Sequence, residues 1–143
     1  MAVTISLDPG DQDLDAIHRM LAGAYWSDGV RREIVAEALR NSITAVAIDD
    51  ASGATIGIAR VVTDHATFAW LCDVMVEEPF RGQGIARRLL EALEAHPSLA
   101  TVRRWCLATR DAHGLYEKFG YRPVPAGWWM EKQGPVTRWR SSG

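Results

Sequence analysis

Arg81-Gly82-Gln83-Gly84 has the residue types and spacing most suited to chemistry in this chain. Glycines let a backbone approach a ligand closely, and the unpaired amides of a helix's first turn attract negative charge, phosphate above all. Arg81 adds a fork of donors that matches phosphate oxygens. The better-known glycine signatures do not fit here. A Walker loop requires a Gly-Lys-Ser/Thr ending, and a dinucleotide fingerprint requires a third glycine where this chain has Arg87.

Other reactive residue types are sparse and scattered. His18, His65, His96 and His113 share no metal-ligand spacing, so packing or surface roles lead and no metal is expected. Cys72 and Cys106 both fall in strand-like stretches and suit buried, reduced thiols better than a disulfide framework, with a bridge between them left open. A chain of 143 residues, 48% hydrophobic and 24% charged, is ordinary for one globular unit. Its net charge of -2 argues against nucleic acid as the main partner, which calls for a basic surface. The N-terminus lacks a basic region followed by a long apolar one, and no run approaches the ~20 apolar residues of a membrane span. The expectation is a cytoplasmic protein with no membrane partner.

The elements that must position the glycine turn can be read in order. Val3 to Leu7 alternates as a strand and stops at Asp8-Pro9-Gly10. A helix capped by Asp11 or Asp13 follows, with Leu14, Ile17, His18 and Leu21 at helical spacing up to about Tyr25. After a polar break at Trp26 to Gly29, a second helix places Ile34, Val35, Ala38 and Leu39 on one side. Thr44 to Ile48 and Thr55 to Val62 form a hairpin around Asp49 to Gly53, and Thr67 to Val76 is the third strand of the meander. That strand runs into the glycine turn, and the helix beyond it buries Ile85, Leu89 and Leu93 before stopping at Pro97. Arg104 to Ala108 reads as a strand, Ala112 to Phe119 as a short helix, and Tyr121 to Pro123 and Trp128 to Glu131 as further short strands. One domain over residues 1–132, with a loose polar tail over 133–143, is expected.

The stretch Arg81 to Ala86, with its preceding strand, resembles the R/Q-x-x-G-x-G/A motif of the GNAT family of N-acetyltransferases. Ala112-His113-Gly114-Leu115-Tyr116-Glu117-Lys118-Phe119-Gly120-Tyr121 looks like the family's A-x-x-L/F-Y-E-K-x-G-F/Y segment. Both stand in the right order within a matching succession of strands and helices. The resemblance implies an α/β fold with a mixed, mostly antiparallel central sheet, one parallel strand pair and about four flanking helices. It also implies acetyl-CoA as co-substrate. Backbone amides of Gln83, Gly84, Ile85 and Ala86, with Gly82, Arg81 and Arg87, would hold the pyrophosphate, and Met75 and Val76 would offer main-chain contacts to the pantetheine arm. Thr109 stands where many members carry an asparagine and is either a cofactor-side contact or a helix cap. Family members are often dimers, so a homodimer is an open expectation.

Acetyl transfer to an amine needs a held thioester, a deprotonated amine and a proton donor for the departing thiolate. Tyr116 matches the family tyrosine that serves the sulfur, and a phenol of pKa about 10 stays protonated where a thiol, at about 8.5, does not. Asp73 either meets the ammonium of a primary amine and accepts its proton, or simply bonds neighbouring donors. The Glu that polyamine-type members carry before it is Cys72 here. Tyr25, Trp26 and Asp28 form either one wall of the acceptor pocket or an aromatic staple between the first two helices. The implied activity is an N-acetyltransferase acting on a small primary amine. Its competitors are a catalytically silent acyl-CoA-binding module and a peptide or protein N-acetyltransferase.

Overall fold

The computed structural model describes residues 2–135, 139 and 140. Five strands form one sheet in the order β1 to β5: Val3–Ser6, Ile43–Asp49, Thr55–Thr63, Phe68–Val76 and Arg104–Cys106. The first four pair antiparallel, and β4 and β5 pair parallel. Helices α1 (Leu14–Ala22) and α2 (Arg32–Arg40) precede β2, α3 (Ile85–Glu94) follows β4, and α4 (His113–Glu117) follows β5.

The alternation of each strand decides which helix it meets. Ala45, Ala47, Ala59, Val61 and Leu71 face Ile85, Leu89, Leu90 and Leu93 of α3, while Val46 and Ile58 face Ile17, Leu21, Val35 and Leu39 of α1 and α2. Small alanines on the first face let α3 lie close to the sheet. Asp13 caps α1, its carboxylate accepting from Ala16 N at 3.1 Å, as the sequence predicts.

Strand β4 departs from regular pairing in two places. It carries a bulge: Met75 pairs with Ile58 and Cys72 with Arg60, so Asp73 and Val74 together oppose Ala59, and Asp73 sits at φ 53. On its other edge, β5 stays with β4 only at Phe68 to Trp70 and then ends. The β4 edge from Leu71 to Val76 therefore has no strand on that side among the described residues.

The two C-terminal strands predicted from sequence, at Tyr121 to Pro123 and Trp128 to Glu131, do not form. Pro123 and Pro125 lack amide donors, Gly127 turns at φ 85, and Trp128 N bonds back to Pro125 O at 3.2 Å. Trp129 instead stacks on Trp70 of β4, ring centroids 5.3 Å apart. The tail expected to be loose also makes contacts at its far end. Trp139 packs against the α1–α2 cluster, its carbonyl accepts from Arg31 N at 2.9 Å, and Arg140 bridges to Val30. Residues 136–138 and 141–143 lie outside the described residues.

Candidate active site

The glycine turn owes its shape to backbone that only glycine adopts cheaply. Gly82 and Gly84 sit at φ 79 and 77, Gly84 is the residue from which α3 starts, and a Cβ built on either meets no atom within 4 Å. Packing therefore does not demand glycine at these two positions; backbone angle does. The space they leave bare opens into a cleft of ≈ 1240 Å³. Arg81 turns inward enough for its Nε to donate to Val76 O at 2.8 Å, which ties the strand end to the turn and leaves its two terminal nitrogens for a ligand. Arg87, on the first turn of α3, lines the same cleft, its Nε bonded to Glu91 at 2.9 Å.

One wall of this cleft is the β4 segment Val74 to Val76, at the edge that β5 abandons. The opposite wall comes from the β5–α4 connection and α4, including Tyr116. The Tyr116 ring is buried and meets Tyr121 edge-on at 5.9 Å. Burial, then the charge of Asp111 and the hydroxyl of Tyr25, push its phenol above the ordinary tyrosine range, which favours the protonated form. Thr109 Oγ1 accepts from Ala112 N at 3.0 Å, a bond within the loop before α4 rather than a cap of that helix, and Thr109 does not line this cleft.

Asp73 is engaged elsewhere. Because the bulge puts it on the α1–α2 side, one carboxylate oxygen receives Arg60 Nε at 2.8 Å and the other receives Trp26 Nε1 at 2.9 Å. Arg60 also donates to Ser42 Oγ at 2.9 Å, and the two charged side chains are only 17% and 10% exposed. Asp73 does not border the cleft. Trp26 does, edge-to-face with its neighbour Tyr25 at 5.1 Å, and both rings line the cleft. Asp28 points away to Arg140, 3.5 Å distant, and is not brought to the cleft. Gln83 is exposed on the turn without lining it.

Sequence reasoning missed three participants. Arg60 stands alone among the apolar residues of Ile56 to Val62, which is the signal that could have marked it as a charge partner. Arg110 and Asp111 sit beside the family segment and line the cleft, with the Arg110 guanidinium 4.0 Å above the Tyr25 ring. Cys72 and Cys106 are free thiols. Among the described residues no group of His, Cys, Asp and Glu is placed to hold a metal, and no helix is long and apolar enough to cross a membrane.

Comparison with known proteins bears on what a cleft of this kind does. The description "Acetyltransferase (GNAT) domain" matches residues 40–123. A crystal structure assigned to the GNAT family, from Xanthomonas campestris pv. campestris, is 37% identical with a TM-score of 0.87, covering 96% of this chain and 97% of that one. N-alpha-acetyltransferase 80 of Mus musculus is 38% identical over 77 residues, 48% of this chain and 24% of that protein, so the chain spans about a quarter of that curated relative. A "predicted acetyltransferase with acetyl-CoA" from Clostridium acetobutylicum shares the fold at a TM-score of 0.71 and 14% identity, over 92% of this chain and 96% of that one.

Proposed function

Since the chain belongs to the GNAT family of acetyltransferases, we propose that it transfers the acetyl group of acetyl-CoA to a primary amine of a small molecule. Transfer is by direct attack, without a covalent enzyme intermediate. The observation that carries this reading is one cleft that joins the bare glycine turn, the abandoned edge of β4 and Tyr116. The amides of Gln83 and Gly84, just before α3, and of Ile85 and Ala86, in its first turn, hold the pyrophosphate, and Arg81 and Arg87 neutralise its charge. Met75 and Val76 lend main-chain hydrogen bonds to the pantetheine arm, as an added strand would.

That placement carries the thioester toward Tyr116 and the acceptor toward Tyr25 and Trp26. The amine nitrogen attacks the thioester carbonyl, the C–S bond breaks, and the Tyr116 hydroxyl donates its proton to the sulfur. A silent acyl-CoA-binding module is the second reading, favoured by the engagement of both Asp73 oxygens.

Thiol release from acetyl-CoA, measured against amines, amino acids, polyamines, aminoglycosides and peptides, separates the two. An enzyme gives release above background with at least one acceptor; a silent module gives none with any. With the responsive acceptor, Tyr116→Phe should lower kcat on the order of 100-fold and leave the Kd for acetyl-CoA unchanged. Equal kcat in both proteins would remove Tyr116 from the chemistry.

A further inference from the structure

The cleft is bordered by only two carboxylates among the described residues, Glu91 and Asp111. Glu91 belongs to α3 and is bonded by Arg87 at 2.9 Å, at the end assigned to the pyrophosphate. Asp111 belongs to the loop that leads into α4 and shares the other end with Tyr116, Tyr25 and Trp26. Its one ionic contact is loose: Arg110 stands 3.5 Å away, the two side chains are 66% and 71% exposed, and the guanidinium lies against the Tyr25 ring. The carboxylate thus keeps its acceptor capacity toward the cleft. Tyr25 and Trp26, 58% and 44% exposed, give the same end an aromatic wall, with Arg110 over one face of Tyr25.

We propose that Asp111 receives the ammonium of the acetyl acceptor, and that this end of the cleft takes a primary amine with an apolar or aromatic tail lying against Tyr25 and Trp26. The proposal rests on the acetyltransferase reading and names the substrate class and the proton acceptor for it. An amine arrives at neutral pH as an ammonium and cannot attack until it loses a proton. Asp111 takes that first proton and passes it to solvent. The freed lone pair forms the N–C bond to the thioester carbonyl, and the C–S pair departs on sulfur. Sulfur takes the Tyr116 hydroxyl proton, and the phenolate recovers one from the acylated nitrogen through Asp111. One amide, one thiol and one solvent proton result. Asp111, Tyr25 and Tyr116 all line this cleft, and the charge of Asp111 helps raise the Tyr116 phenol.

Phenethylammonium is the probe. In calorimetry on the protein saturated with CoA, the wild type should bind it, Asp111→Asn should weaken it on the order of fivefold, and Asp111→Glu should restore most of the affinity. Acetyl-CoA should bind all three proteins alike. Absence of phenethylammonium binding to the wild type, or equal binding to Asp111→Asn, overturns the proposal. Failure of the wild type to bind acetyl-CoA instead sinks the acetyltransferase reading beneath it, so the two failures are distinguishable.

Discussion

Replacing Asp73 by asparagine separates a base from a brace. Asp73 and Arg60 are joined at 2.8 Å with 10% and 17% of their side chains exposed, and Trp26 donates to the other oxygen at 2.9 Å. Removing one partner of a buried pair strands the other charge and costs about 3–5 kcal/mol. Asparagine keeps an oxygen for one donor, and both side chains retain some water, so the lower end applies, about 3 kcal/mol or roughly 10 °C in Tm. Removing both charges, in Arg60→Met with Asp73→Asn, should recover most of that loss, because no ion is then left unpaired. The assay is urea unfolding of wild type, single and double variants, with thiol release measured at a temperature where all are folded. A brace predicts large instability and, for the folded protein, turnover within roughly fivefold of wild type. A proton acceptor predicts a loss on the order of 100-fold in kcat. An Asp73→Asn protein as stable as wild type but without turnover would refute the reasoning.

Two further predictions concern stability. Burial pushes the Cys72 thiol from about 9 up to about 11, with Arg60 opposing the shift and Asp73 adding to it. Between those values the folded state keeps a proton that the unfolded chain loses. The contribution is therefore complete below pH about 9 and drains away as pH rises through about 11, amounting to about 3 kcal/mol. Across that window the stability gap between wild type and Cys72→Ala, followed by urea unfolding, should narrow by about that amount; a constant gap would contradict the burial argument. Thr44 Oγ1 is buried with no hydrogen-bond partner among the described residues, so Thr44→Val should stabilise by about 1 kcal/mol in the same assay, and a loss would mean the hydroxyl is bonded.

The legibility of each feature in the sequence depends on how local its signal is. The glycine turn, the meander before it and the face of α3 are readable because they depend on short-range periodicity and on the backbone freedom of Gly82 and Gly84. The bulge at Asp73 is not readable, since it is a register shift between β3 and β4 that no residue type announces. With it goes the destination of the carboxylate, whose partner Arg60 is 13 residues away across the sheet. The C-terminal stretch misleads for another reason. Trp128, Trp129 and Met130 have strand-like composition, yet the prolines and glycine before them prevent pairing, and all three side chains remain exposed. Its return to the α1–α2 connection through Trp139 is a long-range contact that composition does not encode.

The left-handed turn before α3 is the donor site in this account, and a matched pair of glycines tests it. Gly84 and Gly53 have nearly the same backbone angle, φ 77 and 73, and neither has an atom within 4 Å of an added Cβ, but Gly53 lies in the β2–β3 hairpin and does not border the cleft. Alanine at either position should cost a similar ~1–2 kcal/mol of stability. Titration of acetyl-CoA by calorimetry into wild type, Gly84→Ala and Gly53→Ala should give equal affinity for wild type and Gly53→Ala and a loss of at least about tenfold for Gly84→Ala, whose methyl group enters the phosphate cradle. Equal affinity in all three proteins would contradict the account.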